Sequence, residues 1–179
     1  MKRLLIIILI LTCVKANAQI SSVDSSQGCY WLDKGHFFLL DVRFGGVNSD
    51  SFDPKVGFGV NLGGEYRFNK YIALDYINIE YAGPFNFSKY YGVVSAKTGL
   101  RGFSPSFMAD QLRIYTNISV GYSCVFDKYY NRKMHYYHGF GLTFGAGIQI
   151  KKKYSVGYTL QIEKGRETKC HFANIGFAF

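Results

Sequence analysis

The chain has 179 residues, is 48% hydrophobic and 18% aromatic, and carries a formal net charge of +9. Sixteen Phe, fifteen Tyr and twenty Gly against three Pro favour strands, and no window sustains a helical period, which argues against a helical bundle. The cysteines show no metal-ligand spacing, and the three beyond the leader (Cys29, Cys124 and Cys170) are an odd number, which excludes a disulfide framework or a zinc module as the organising principle.

Lys2-Arg3, the apolar run Leu4 to Val14 and Ala16-Asn17-Ala18 form the three regions of a secretory signal peptide, with cleavage expected after Ala18. The apolar run falls short of the roughly 20 residues a spanning helix needs. Cleavage removes Lys2, Arg3 and Lys15, leaving a net charge of +6. Residues 19–34 read as a polar lead-in segment, and residues 35–179 as one domain. Export also removes nucleic acid from the possible partners of this basic chain.

From Gly35 the sequence alternates with period two, the mark of strands with different surroundings on their two faces. His36, Phe38, Leu40, Val42 and Phe44 oppose Phe37, Leu39, Asp41, Arg43 and Gly45. Gly46 to Lys55 carries loop chemistry. In the second strand, Val56 to Phe68, the apolar residues Val56, Phe58, Val60, Leu62, Tyr66 and Phe68 oppose Gly57, Gly59, Asn61, Gly63, Glu65 and Arg67. So much glycine on a solvent face would weaken a soluble sandwich, whereas a narrow barrel lumen uses small residues to make room for charged neighbours. The strand from Tyr71 to Tyr81 changes phase, which predicts a bulge near Tyr76. Loops over Ala82 to Ser88, Phe103 to Gln111 and Asp127 to His135, with Lys151 to Lys153 and Lys164 to Thr168 as turns, separate five further strands. The last strand places Ala173, Ile175, Phe177 and Phe179 on one face and Phe172, Asn174, Gly176 and Ala178 on the other.

Eight strands with short turns at one end and longer loops at the other predict an all-β, eight-stranded antiparallel up-and-down transmembrane β-barrel. Closure is obligatory in lipid, because an open edge would leave backbone groups unpaired. A soluble periplasmic β-sandwich is the architectural alternative.

The signal peptide, the strands GFGVNLGGEYRF and GFGLTFGAGIQI, the stretch KTGLRGFSP and the terminal NIGFAF together resemble the small outer-membrane β-barrel proteins of the OmpA/OmpX type, often labelled "porin family" or "outer membrane protein beta-barrel domain". The resemblance covers Gly35 to Phe179. It implies a location in the bacterial outer membrane and assembly by the barrel-assembly machinery. Ile175, Phe177 and Phe179 then stand where such proteins carry their assembly signal. It also implies a monomer without cofactor, surrounded by outer-membrane lipids including lipopolysaccharide.

Two groups of side chains stand out. Asp41, Glu65, Asp75 and Glu163 share the inward face with Arg43, Arg67, Lys97, Arg101 and Arg113. They are expected to form a packed, paired network, since buried charges persist when partnered; a narrow ion path or proton site is the functional alternative. Lys128, Tyr129, Tyr130, Arg132 and Lys133, followed by His135, Tyr136 and Tyr137, form a basic-aromatic loop that could touch lipopolysaccharide phosphates or a surface partner. No enzyme is expected. Lipid A deacylases of similar barrels pair a serine with a histidine two residues away near the last strands, but here the residue two after His171 is Ala173, so the nucleophile of a triad is missing. The expected role is structural or recognitional, with a passive small-solute pore as the alternative.

Overall fold

The computed structural model describes residues 34–49, 52–85, 90–108, 111–128 and 133–179. The signal peptide and residues 19–33, with Cys29, lie outside these. Strands β1 (Gly35–Ser49), β2 (Phe52–Arg67), β3 (Ile72–Pro84), β4 (Tyr90–Phe103), β5 (Leu112–Lys128), β6 (His135–Ile150), β7 (Tyr154–Glu163) and β8 (Thr168–Ala178) pair antiparallel with their sequence neighbours. β1 and β8 then close the barrel in a register running from Leu39↔Ala178 to Asn48↔Lys169. This single closed sheet excludes the β-sandwich alternative.

The barrel is turned inside out relative to a soluble domain. Glu65, Arg67, Gln161 and Glu163 are completely buried, while Val56 and Phe140 are 70% and 68% exposed on the outer face. Water would penalise both choices; a hydrocarbon surround with a packed polar interior favours both. Aromatic clusters mark the two edges of the outer apolar band. Phe85 packs against Phe44 and Phe58 towards the β1–β2 hairpin, and His36, Tyr66 and Phe68 pack together at the opposite end. From Phe58 to Phe68 the strand covers roughly 23 Å of height at about 3.3 Å per residue and 45° tilt, close to the band of about 25 Å that an outer membrane requires.

The phase change in β3 is a bulge at Tyr76. Gly64 pairs with Ile77 and Glu65 with Asp75, so Tyr76 is the extra residue. Tyr76 and Ile77 consequently both face outward. The Tyr76 ring lies over Gly64, where an added Cβ would fall 2.3 Å from it. The bare glycine is what lets the bulged ring lie flat against the sheet.

The segment Gly46 to Lys55 corrects the sequence expectation. Instead of a long loop, β1 continues to Ser49 and β2 begins at Phe52, with Val47↔Lys55 and Ser49↔Phe52 paired. Polar turn-forming residues suit a strand that has emerged from the bilayer, and buried Val47 gives this extension an inward anchor.

Candidate functional site

The interior is layered along the barrel axis. Its middle layer is ionic. Lys97 on β4 extends its ammonium to Glu80 on β3 at 2.9 Å and to Glu163 on β7 at 2.7 Å. It also donates to the Thr143 hydroxyl at 2.8 Å. Arg43 on β1 reaches the other Glu80 oxygen at 3.1 Å and lies 3.9 Å from Asp41. Gln161 donates to Glu163 at 2.6 Å and Asn61 to Asp41 at 3.0 Å. Six strands are thereby tied together through their side chains alone: β1, β2, β3, β4, β6 and β7.

Towards the mouth formed by the β2–β3, β4–β5 and β6–β7 turns, cations alternate with rings. Arg67 pairs with Glu65, and Arg101 binds Glu65 at 3.2 Å and Asp75 at 3.4 Å. The Arg67 guanidinium lies 3.9 Å from the centre of the Phe37 ring, and that of Arg113 lies 3.6 Å from the centre of Phe103. Arg113 also donates to Gln149 at 2.7 Å and to the Lys70 carbonyl at 3.1 Å. Planar guanidinium groups stacked on aromatic faces retain electrostatic stabilisation while leaving little free space.

The opposite end is sealed by apolar packing among buried Val47, Ala82, Tyr91, Val93, Val125, Cys170 and Phe172, with Tyr137 against them. Tyr91 and Thr168 share a hydrogen bond above this layer. The β7–β8 turn, a 3-10 turn over Lys164–Arg166, folds onto it. Arg166 binds Asp127 at 2.8 Å and lies 4.5 Å from the centre of the Tyr137 ring. Between the layers, the cavity bordered by Asp41, Asn61, Asp75, Asn78 and Arg101 has a volume of about 10 Å³, room for about one water molecule.

All nine inward charges named from the sequence (Asp41, Arg43, Glu65, Arg67, Asp75, Lys97, Arg101, Arg113 and Glu163) are buried in the lumen. They divide between the middle layer and the cation–ring layer. Glu80 was missed, although it joins Arg43 to Lys97. The signal was available: once Tyr76 is taken as a bulge, the outward series Ile77, Ile79, Tyr81 places Glu80 inward. Asp127, the partner of Arg166, was missed because it lies where a loop was expected.

On the rim, Lys133 is exposed and Lys128 is half-buried at the end of β5, whereas Tyr129, Tyr130 and Arg132 lie outside the described residues. Ile175 and Phe179 are exposed on the outer face, with Phe177 half-buried beside them. Phe179 exchanges two backbone hydrogen bonds with Phe38, at 2.9 and 3.1 Å. His36, His138 and His171 also face outward. The Tyr122 hydroxyl is bonded to Nδ1 of His138, and the Tyr158 hydroxyl lies 2.5 Å from Nδ1 of His171.

This architecture is that of the small eight-stranded outer-membrane β-barrels. The structure of Neisserial surface protein A (NspA) aligns with a TM-score of 0.65 at 11% identity, over 80% of this chain and 95% of that one. Ail, the attachment invasion locus protein of Yersinia pestis, aligns with a TM-score of 0.53 at 16% identity, over 82% and 99% of the two chains. Ail in complex with the heparin analogue sucrose octasulfate aligns with a TM-score of 0.50 at 14% identity, over 83% and 100%. At these identities the likeness is one of fold. No protein-family model and no curated protein matches the chain.

Proposed function

We propose that this protein is a monomeric, non-enzymatic barrel of the bacterial outer membrane that works through its outer surface, in envelope integrity or surface recognition, and not by conducting solutes. The signal peptide brings it to the periplasm, and the terminal residues Ile175, Phe177 and Phe179 present it to the barrel-assembly machinery. The observation that carries this reading is the layered interior: a passive pore needs a continuous water path, and here each level of the lumen is occupied by packed side chains.

Recognition falls to the rim where β5 and β6 emerge. Its basic and aromatic residues suit phosphate or sulfate groups, which accept charge-assisted hydrogen bonds from lysine and arginine. Ail, a barrel of similar fold, forms a complex with the heparin analogue sucrose octasulfate, which supports a polyanion as the class of partner. The partner most available to an outer-membrane barrel is lipopolysaccharide. Replacing Lys128, Arg132 and Lys133 together by Gln is expected to weaken binding to lipid A vesicles at least severalfold; unchanged binding would remove the rim from the account.

A further inference from the structure

The outward Tyr–His pairs repeat one construction on two hairpins. Tyr122 on β5 stands opposite Phe140 but bonds His138, two residues nearer the rim. Tyr158 on β7 stands opposite Ala173 but bonds His171, again two residues nearer the rim. Each histidine is the fourth residue of its strand from the rim end, about 10 Å along the strand. His171 pairs with Gly46, two residues beyond Phe44 of the aromatic cluster that marks this edge of the apolar band, which sets it at the level of the headgroups.

An aromatic girdle requires only an amphipathic ring, and tyrosine alone supplies it. The added imidazole costs desolvation unless both ring nitrogens are satisfied. The phenol satisfies Nδ1. An imidazole that accepts the phenolic proton at Nδ1 carries its own proton on Nε2. With the phenol donating to Nδ1, Nε2 stands as an N–H donor on the outside of the barrel, where lipid headgroup oxygens are the acceptors at hand. Lys169 is exposed two residues further towards the rim on the same face of β8. With Lys164 it outnumbers Glu167, the single acid of that turn.

We propose that the two Tyr–His pairs are headgroup sites for a phosphate-bearing outer-leaflet glycolipid, His171 and Lys169 together taking one phosphate and His138 a second contact on the neighbouring face. The sites lie on the wall of the barrel, separate from the β5–β6 rim, and rest on the bilayer placement proposed above.

The test is native mass spectrometry of the full barrel with Lys128, Arg132 and Lys133 replaced by Gln, so that the rim contributes no phosphate contact, titrated with lipid A bearing both phosphates and with dephosphorylated lipid A of identical acyl chains. This rim-neutralised parent is expected to prefer the phosphorylated form by about tenfold, the range of one charge-assisted hydrogen bond. His138→Phe with His171→Phe should bring that preference to within about twofold, and Lys169→Gln should halve it at least, as phosphate contacts of this strength imply. Heat-modifiable migration and detergent-only extraction are measured on the same samples. A barrel that does not insert refutes the bilayer placement. One that inserts without phosphate preference, or keeps it in the double variant, overturns the site. Should the double variant fail to insert, the comparison of the two lipids on the rim-neutralised parent decides alone.

Discussion

Lys97 and Glu163, 66 residues apart in sequence and three strands apart around the barrel, meet in the lumen with the ammonium 2.7 Å from the carboxylate. Glu80 sits on the other side of the same ammonium at 2.9 Å. One lysine thus braces two acids on opposite walls. Neighbouring strands need no such brace, since the backbone ladder already holds them. The contact works across the diameter, where the sheet provides no bond.

Removing the lysine leaves two buried carboxylates facing each other. Lys97→Met is expected to destabilise the barrel by about 3–5 kcal/mol, the cost of stranding a buried charge. Urea unfolding of the barrel in lipid vesicles measures it. Adding Glu163→Gln to Lys97→Met should restore most of the loss, because Glu80 keeps Arg43 at 3.1 Å and no charge is then left unpaired. A double variant no better than the single one would show that the ion pairs are not the source of the effect.

Two adjacent glycines are expected to behave oppositely. A Cβ on Gly45 would fall 1.8 Å from the His171 carbonyl oxygen, inside the β1–β8 seam, whereas a Cβ on Gly46 meets nothing within 4 Å. Gly45→Ala should therefore impair closure and abolish heat-modifiable migration. Gly46→Ala should be neutral or stabilise by about 0.5–1 kcal/mol, as an unhindered glycine replacement in a strand does. Equal behaviour of the two variants would contradict the seam geometry.

Deleting Phe179 removes the reciprocal hydrogen bonds to Phe38 that extend the seam. The expected result is a reduced amount of barrel in the outer-membrane fraction, with accumulation in the periplasm, read by fractionation and immunoblotting. Restoring an aromatic residue by Phe179→Trp should recover assembly. Normal assembly of the deletion would argue against Phe179 as an assembly signal.

Much of this architecture was legible because period two and lipid exposure reinforce each other. In β8 the alternation runs unbroken from Thr168 to Ala178, and every second residue is buried. β3 was harder. Its extra residue at Tyr76 shifts the phase, and only by carrying that shift forward does Glu80 move into the lumen. The polar stretch from Gly46 to Lys55 misled for another reason: turn-forming residues also suit strands that continue into water. The stacking of Phe103 on Arg113, and of Phe37 on Arg67, depends on the relative heights of β1, β2, β4 and β5. No single strand's pattern encodes those heights.

The most direct test of the closed-lumen account is a planar-bilayer recording of the purified, refolded wild-type barrel in molar salt. With cation–ring stacking at one mouth, ion pairs in the middle and apolar packing at the other, insertion should leave the membrane current at its baseline. Steady conductance steps that scale with salt concentration and accompany each insertion would contradict it and make the protein a pore.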